Sequence, residues 1–191
     1  MIDFEIVKTT VVNKLSQLNP NLTYHNLDHT LDVLEQSGRI AKAEHVTNGH
    51  DLYLLKVAAL YHDTGFLQVY PAHEMKGCEI FLADAETYDL SNHDKSVITN
   101  LIMATQIPQR PSTLLEKIIC DADLDYLGRD DFFSIGDNLR KEFLCYEIVS
   151  DNVQWEQLQL KFLLNHRYHT KSSRILREPY KQLNYSKLVI C

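Results

Sequence analysis

Apolar residues recur along this chain at the spacing of amphipathic helices. In the first segment, residues 3–18, the apolar positions Phe4, Val7, Val11 and Leu15 are three or four residues apart and therefore share one helix face. Hardly any stretch alternates strictly between apolar and polar, as a half-buried strand would. The same spacing predicts seven or eight further helices, over residues 26–46, 51–62, 71–86, 91–105, 112–128, 130–149, 152–168 and 171–183.

Turn and capping residues mark the predicted helix ends. Asp3, Asp51, Ser91 and Ser112 are predicted N-caps, because a short side-chain oxygen accepts a hydrogen bond from a free N–H of the first turn. Pro71 is predicted to open the fourth helix, since the first helical position tolerates proline. The pattern predicts an all-α fold.

The chain shows no internal repeat, low-complexity stretch or linker that would mark a domain boundary. We therefore expect a single helical domain over residues 1–191, with the C-terminal helices packing on the rest. The composition, 45% apolar and 24% charged, is ordinary for a globular protein. No apolar run reaches the roughly 20 residues of a membrane span, and no signal-peptide pattern is seen, so we expect a cytoplasmic protein without a membrane partner.

Charge is unevenly spread along the chain. The net charge of −7 argues against binding of a nucleic-acid polymer. Residues 161–191 carry seven Lys or Arg against one acid, whereas the first 160 residues carry −13. This asymmetry favours a basic C-terminal segment that folds back onto an acidic body, and a role in holding an anionic substrate stays open.

Ionisable residues fall at helix ends or on apolar faces in five consecutive predicted segments. Burying such groups without partners is costly, and a metal cation is one economical partner. Imidazole and carboxylate ligands without thiolate suit Mn, Fe, Zn, Co or Ni. Taken singly, each residue is also explained as a core or capping side chain. The residues are His25, His29, His62, Asp63, His73, His93, Asp121 and Asp123. Because His25 and His29 are four residues apart at the start of the second helix, we expect them to share one helix face.

Three segments together resemble the HD-domain superfamily of metal-dependent phosphohydrolases. They are "YHNLDHTLDVL", "ALYHDTG" and "CDADLDYLG", in that order, and they reproduce the signature H…HD…D on a helical bundle. The resemblance covers about residues 20–145 and implies an HD-domain-like bundle. It implies that a divalent metal, with Mg also compatible, is held by His29, His62, Asp63 and Asp123. Asp123 is preferred to Asp121 because of its place within "ADxL".

Two further matches extend the resemblance. His73 and His93 fall where the dinuclear branches place extra histidines, which implies six ligands and one or two metal ions. The segment "YHN" is similar to the eukaryotic cyclic-nucleotide phosphodiesterases, and this similarity implies that His25 protonates the leaving oxygen. The "GYP" of the cyclic-dinucleotide hydrolases is absent after His93, which disfavours that branch.

The implied activity is hydrolysis of a phosphate ester of a nucleotide or a related small molecule. Water activated by the metal attacks phosphorus, with Asp63 and His25 as the catalytic residues. Lys76, Arg110 and Arg129 are candidate phosphate ligands, although each is also explained as a surface charge. A small-molecule substrate is the expected partner, and a homo-oligomer stays open.

Two alternatives remain at this stage. The same six ligands hold a di-iron centre in an oxygenase branch of the superfamily that includes inositol oxygenase. A metal-stabilised binding module without turnover is the other alternative, against which the presence of His25 argues.

Overall fold

The computed structural model describes residues 2–190, which form nine α-helices and no strand. The predicted all-α fold is confirmed. None of the described helices has the length and apolar character needed to cross a membrane. The helices are α1 (Phe4–Leu15), α2 (Leu27–Ala43), α3 (Gly49–Tyr61), α4 (His73–Asp84), α5 (Asn92–Ala104), α6 (Leu114–Asp123), α7 (Phe132–Cys145), α8 (Asn152–Asn165) and α9 (Lys171–Ile190). Three 3-10 helices, Thr64–Leu67, Ala85–Thr87 and Asp125–Gly128, complete the regular structure of this part of the chain.

Helix α3 lies at the centre of the main core. Its second half is buried without interruption from Val57 to Tyr61. A helix that is apolar on every side has to be covered on every side, and α3 contacts α1, α2, α4, α5 and α6. The chain that leaves the end of α3 is therefore still inside the protein, and this position places the next residues, His62 and Asp63, in the interior.

Two of the predicted N-caps are confirmed. Asp3 accepts a hydrogen bond from Glu5 N, and Ser91 forms a reciprocal capping box with Asp94. Helix α4 begins at His73 rather than at Pro71, after a residue in the left-handed region at position 72.

The other two predicted N-caps are wrong, one by three residues and the other by one. Asn48, not Asp51, caps α3, because its side-chain oxygen accepts from the backbone N–H two residues further on. Thr113, not Ser112, caps α6 through a capping box with Glu116. Ser112 also bonds to Glu116, but from outside the helix.

The C-terminal helices pack on a second, smaller apolar cluster. Helix α9 lies against the 3-10 helix Asp125–Gly128. A Cβ atom at Gly128 would overlap the backbone of Arg177, so glycine permits this close approach. The buried members of the cluster are Tyr24, Leu124, Tyr126, Leu127, Phe132 and Leu163.

Two buried carboxylates tie the C-terminal segment to the body. Asp121 accepts hydrogen bonds from His169 N (2.7 Å), Thr170 N (2.8 Å) and Thr170 Oγ1 (2.7 Å). Asp125 is fully buried and pairs with Arg39 (2.6 Å) and Arg177 (2.8 Å). The basic C-terminal segment therefore contacts an acidic group of the body through Arg177.

Replacement of Asp121 by Ala is expected to destabilise the fold and to leave metal binding intact. The substitution removes three hydrogen bonds to a buried carboxylate, which we expect to cost about 3 kcal/mol. The free energy of unfolding by urea measures this loss, and Asp130→Ala, at an exposed position, should change it by less than about 0.5 kcal/mol. An unchanged stability of the Asp121 variant would show that the bonds to residues 169 and 170 contribute nothing.

Candidate metal centre

The adjacent pair His62 and Asp63 lies just beyond the last residue of α3. Their exposed fractions are 1% and 4%. The Nδ1 atom of His62 lies 2.8 Å from the carbonyl oxygen of Ala59. Because a carbonyl oxygen only accepts, Nδ1 carries a proton, and the neutral ring keeps its lone pair on Nε2, the atom that faces the interior of the site.

Two other helix ends bring partners to this pair. His29 is in the first turn of α2, and Asp123 is the last residue of α6. His29 Nε2 lies 3.3 Å from Asp63 Oδ2, 3.2 Å from Asp123 Oδ1 and 3.3 Å from His62 Nε2. Four ionisable side chains from three helices thus meet at one point, and we call them the metal centre.

The donor atoms of the metal centre fit a divalent metal. The Nε2 atoms of His29 and His62 face each other, and two neutral rings that both offer a lone pair repel unless a proton or a cation lies between them. Asp63 Oδ2 is buried, and the nitrogens that face it, Nε2 of His29 and of His62, lie 3.3 Å and 3.2 Å away without good hydrogen-bond geometry. His29, His62 and Asp123 offer ligand atoms that all lie within 4.8 Å of one another. Imidazole and carboxylate ligands of this kind suit a transition metal.

Without a bound metal, protonated histidines paired with ionised carboxylates stabilise the metal centre. Burial alone would lower the pKa of His29, but its hydrogen bonds to Asp123 and Asp63 raise that pKa to about 9. Burial alone would raise the pKa of Asp123, but the bonds to His29 and His62 lower it to about 2. A metal must therefore displace at least one proton when it binds.

The second oxygen of Asp63 faces a different group. Asp63 Oδ1 lies 3.4 Å from Nε2 of His73, and that nitrogen lies 3.5 Å from Oε1 of Glu74. The Nδ1 atom of His73 donates to the carbonyl oxygen of Tyr70 at 3.3 Å, which leaves Nε2 available. Asp63 therefore lies between two groups of possible metal ligands. One of its oxygens faces His29, and the other faces His73. Glu74 is buried and was not identified from the sequence.

The segment after the His–Asp pair positions the imidazoles around it. A Cβ atom at Gly65 would overlap the carbonyl oxygen of His73, so glycine lets the start of α4 approach the metal centre. The ring of Phe66 stacks against both His25 and His73, with centroid distances of 4.3 Å and 3.9 Å.

His25 does not lie on the same helix face as His29, contrary to the sequence expectation. Asn26 is the N-cap of α2, accepting from the N–H groups of Asp28 and His29, so the helix begins after His25. The two rings are nevertheless close, with centroids 6.0 Å apart. The orientation of His25 is set by a residue far along the chain, Glu142.

Glu142 of α7 is fully buried and accepts four hydrogen bonds. The donors are the backbone N–H groups of Tyr24 (2.8 Å) and His25 (3.0 Å), the hydroxyl of Tyr70 (2.9 Å) and Nδ1 of His25. Burial alone would raise the pKa of Glu142, but the bond to His25 and the backbone bonds lower it. Glu142 was not identified from the sequence, although an acid three residues after Leu139, on the apolar side of a helix, indicates a buried carboxylate.

His93 does not reach the metal centre. It lines a separate pocket with His50, near the start of α3, and His50 Nε2 lies 2.8 Å from Asp94 Oδ1. The first turn of α5 is thus at the start of α3, whereas the first turn of α4 is at its end. The 13 residues of α3 separate these ends by roughly 20 Å. The expected set of six ligands is not assembled, because α4 and α5 run in opposite directions.

The alternative between Asp121 and Asp123 is resolved by their contacts. Asp123 faces His29, whereas both oxygens of Asp121 are occupied by the backbone at residues 169 and 170.

Two of the three cations expected to bind phosphate, Lys76 and Arg110, are not at the metal centre, and the third, Arg129, lines a separate pocket with His29. Lys76 pairs with Glu79 at 2.5 Å on the surface of α4, and Arg110 is exposed. Arg129 is held by Asp32 and Asp131, each at 2.6 Å. None of the three lines the cavity that adjoins Asp63 and Asp123.

Comparison with known proteins assigns the region around the metal centre to a known family. A family model described as HD domain matches residues 26–125, slightly more than half of the chain. The matched span includes all four residues of the metal centre and His73, but neither His25 nor Glu142. No curated protein and no solved structure matches the chain.

Replacement of Asp123 by Ala is expected to abolish metal retention, whereas His93→Ala should leave it unchanged. Asp123 supplies an oxygen at the metal centre, and its loss should weaken binding by more than the roughly 10–100-fold that removal of an outer partner costs. Metal content after dialysis, measured by mass spectrometry, checks both variants. Loss of metal from the His93 variant would contradict the position of that residue.

Metal binding is expected to tighten as the pH rises to about 9. The folded metal-free protein keeps a proton on His29 up to that pH, so its raised pKa stabilises the fold below about pH 6.5 and the benefit disappears as the pH rises through 9. Calorimetry at pH 7 in buffers of different ionisation enthalpy should show release of about one proton or more per metal bound. Binding without proton release would contradict this assignment.

Proposed function

Because the chain belongs to the HD domain family, whose members are mostly metal-dependent hydrolases, we propose that it hydrolyses a phosphate ester of a small molecule. His29, His62, Asp63 and Asp123 hold the metal. The observation that supports an enzymatic role most strongly is an imidazole outside the ligand set, His25, which is held beside the metal centre by the buried carboxylate of Glu142.

The residues of the centre account for the expected chemistry. A divalent metal bound there lowers the pKa of a coordinated water to near neutral and neutralises charge on phosphoryl oxygens. Asp63 presents one oxygen to His29 and His62 and the other to His73, so its position controls both sets of donors.

His25 is the proposed proton donor to the leaving oxygen. Glu142 keeps a proton on Nδ1, so Nε2 is the nitrogen that exchanges a proton with the substrate. In the reaction the bond between phosphorus and the ester oxygen breaks and a bond from phosphorus to the water oxygen forms. The proton of His25 passes to the ester oxygen, which leaves as an alcohol, and the attacking water supplies the proton that restores the ring.

The oxygenase alternative depended on six ligands that include His93. That residue lies at the opposite end of α3, and no other contact of the described residues favours dioxygen chemistry over hydrolysis.

Replacement of His25 by Ala is expected to keep the metal and to lower turnover by roughly 10²- to 10⁴-fold, the usual contribution of a general acid. The loss should be much smaller for a nitrophenyl ester, because nitrophenolate leaves without a proton. Steady-state rates on alkyl and nitrophenyl phosphate esters, with metal content measured on the same samples, check this expectation. His45→Ala, at an exposed position, is the control. An equal loss for both esters, or loss of metal, would rule out His25 as the acid.

A further inference from the structure

A cavity of about 280 Å³ adjoins the metal centre. One end is formed by His25, Asp63, His73 and Asp123, so a molecule in the cavity can touch both the metal centre and the proposed proton donor. The volume is close to the lower end of the range of roughly 300–1,000 Å³ that is usual for ligand pockets, and its position beside the metal centre is typical of such a pocket.

The rest of the cavity wall is apolar. Helices α7 and α8 supply much of it, and Gln159 is one of the few polar side chains away from the metal centre. Water is poorly held in such a space because it finds few partners, whereas an apolar group fills it favourably. The apolar residues that form this part of the wall include Leu124, Leu127, Leu139, Phe143, Trp155 and Phe162.

Carboxylates supply the negative charge at the metal end of the cavity, and the imidazoles of His25 and His73 are the groups there that can become cationic. Asp63, Glu74 and Asp123 line the cavity, and no Lys or Arg does so among the residues that the structure describes. The nearest candidate cation along α4, Lys76, pairs with Glu79 instead. A ligand can therefore place one anionic group against the bound metal, but a second phosphate or carboxylate would be buried without a partner, which is costly.

We infer that the substrate is a phosphate ester of an uncharged, apolar or aromatic alcohol rather than a nucleotide. The phosphate lies at the metal centre, and the hydrocarbon body of the alcohol fills the cavity between α7 and α8. The inference rests on the proposed function for the phosphate end of the ligand. Because His25 lines the same cavity, the alcohol that occupies it is also the group that His25 protonates.

Trp155 makes this inference testable without catalysis. It is the only tryptophan of the chain, and it lines the cavity, so its fluorescence reports occupancy. We would titrate the metal-loaded protein with phenylphosphonate, which is not hydrolysed, with methylphosphonate, which has the same anionic head without the ring, and with AMP. We expect phenylphosphonate to bind at least about tenfold more tightly than methylphosphonate, which has no ring to bury, and than AMP, whose ribose hydroxyls and base nitrogens would find few polar partners in the cavity.

Two variants of α8 form a matched pair. Leu158 lines the cavity and is 39% exposed, whereas Leu164 is 54% exposed and does not line it. Leu158→Glu should weaken the binding of phenylphosphonate by about tenfold or more, because a carboxylate at the cavity wall disfavours an apolar ring beside it. Leu164→Glu should bind like the unmodified protein, and methylphosphonate should be unaffected by either change. Circular dichroism confirms that both variants are folded.

The outcomes separate the two proposals. Equal affinity for phenylphosphonate and methylphosphonate, or tighter binding of AMP, would overturn the apolar substrate even if phosphate esters are hydrolysed. Selective binding of phenylphosphonate, lost in Leu158→Glu, would support it. If that selectivity is found but neither phenyl phosphate nor nitrophenyl phosphate is hydrolysed, the proposed function fails and the apolar cavity assignment stands.

Discussion

Pairing between two imidazoles and two carboxylates in an apolar interior is the interaction on which the site depends. His29, His62, Asp63 and Asp123 come from three helices, and each would be costly to bury alone. Opposite charges and a shared proton or metal offset that cost only while α2, α3 and α6 keep their ends together. The metal centre therefore requires the packing of other helices around α3, because that packing keeps the three helix ends together.

A second constraint fixes the groups beside the metal centre. Glu142 holds His25 through its ring and its backbone N–H, and also binds Tyr70, whose carbonyl oxygen accepts from His73. The ring of Phe66 stacks on those of both His25 and His73, whose own centroids are 6.0 Å apart. The proposed proton donor and the imidazole next to Asp63 thus share their packing partner and part of their hydrogen-bond network, so their relative position is set before any ligand enters.

Local sequence patterns predicted what depends on local geometry. Helical spacing was sufficient to predict the order and approximate position of the helices and the burial of His62, because periodicity reflects which face of a helix is covered. The place of His93 could not be predicted, since it depends on the direction in which α5 runs relative to α4. His25 was assigned to a helix face because the capping role of Asn26 was not recognised. Glu142 was missed because its contact to His25 joins residues 117 positions apart.

The metal centre and the apolar cavity wall come largely from different parts of the chain. Residues 26–125, the part matched by the family model, contain the four residues of the metal centre, whereas α7 and α8, which follow them, contribute Glu142 and much of the wall around Trp155. The metal centre and the cavity wall are therefore physically separable in this fold, although the proposed proton donor depends on α7 through Glu142. For the proposed activity, substitutions confined to the wall residues of α7 and α8 would change the shape of the cavity while the geometry of the metal centre stays constant, so the same chemistry would reach new compounds by divergence of one helical hairpin.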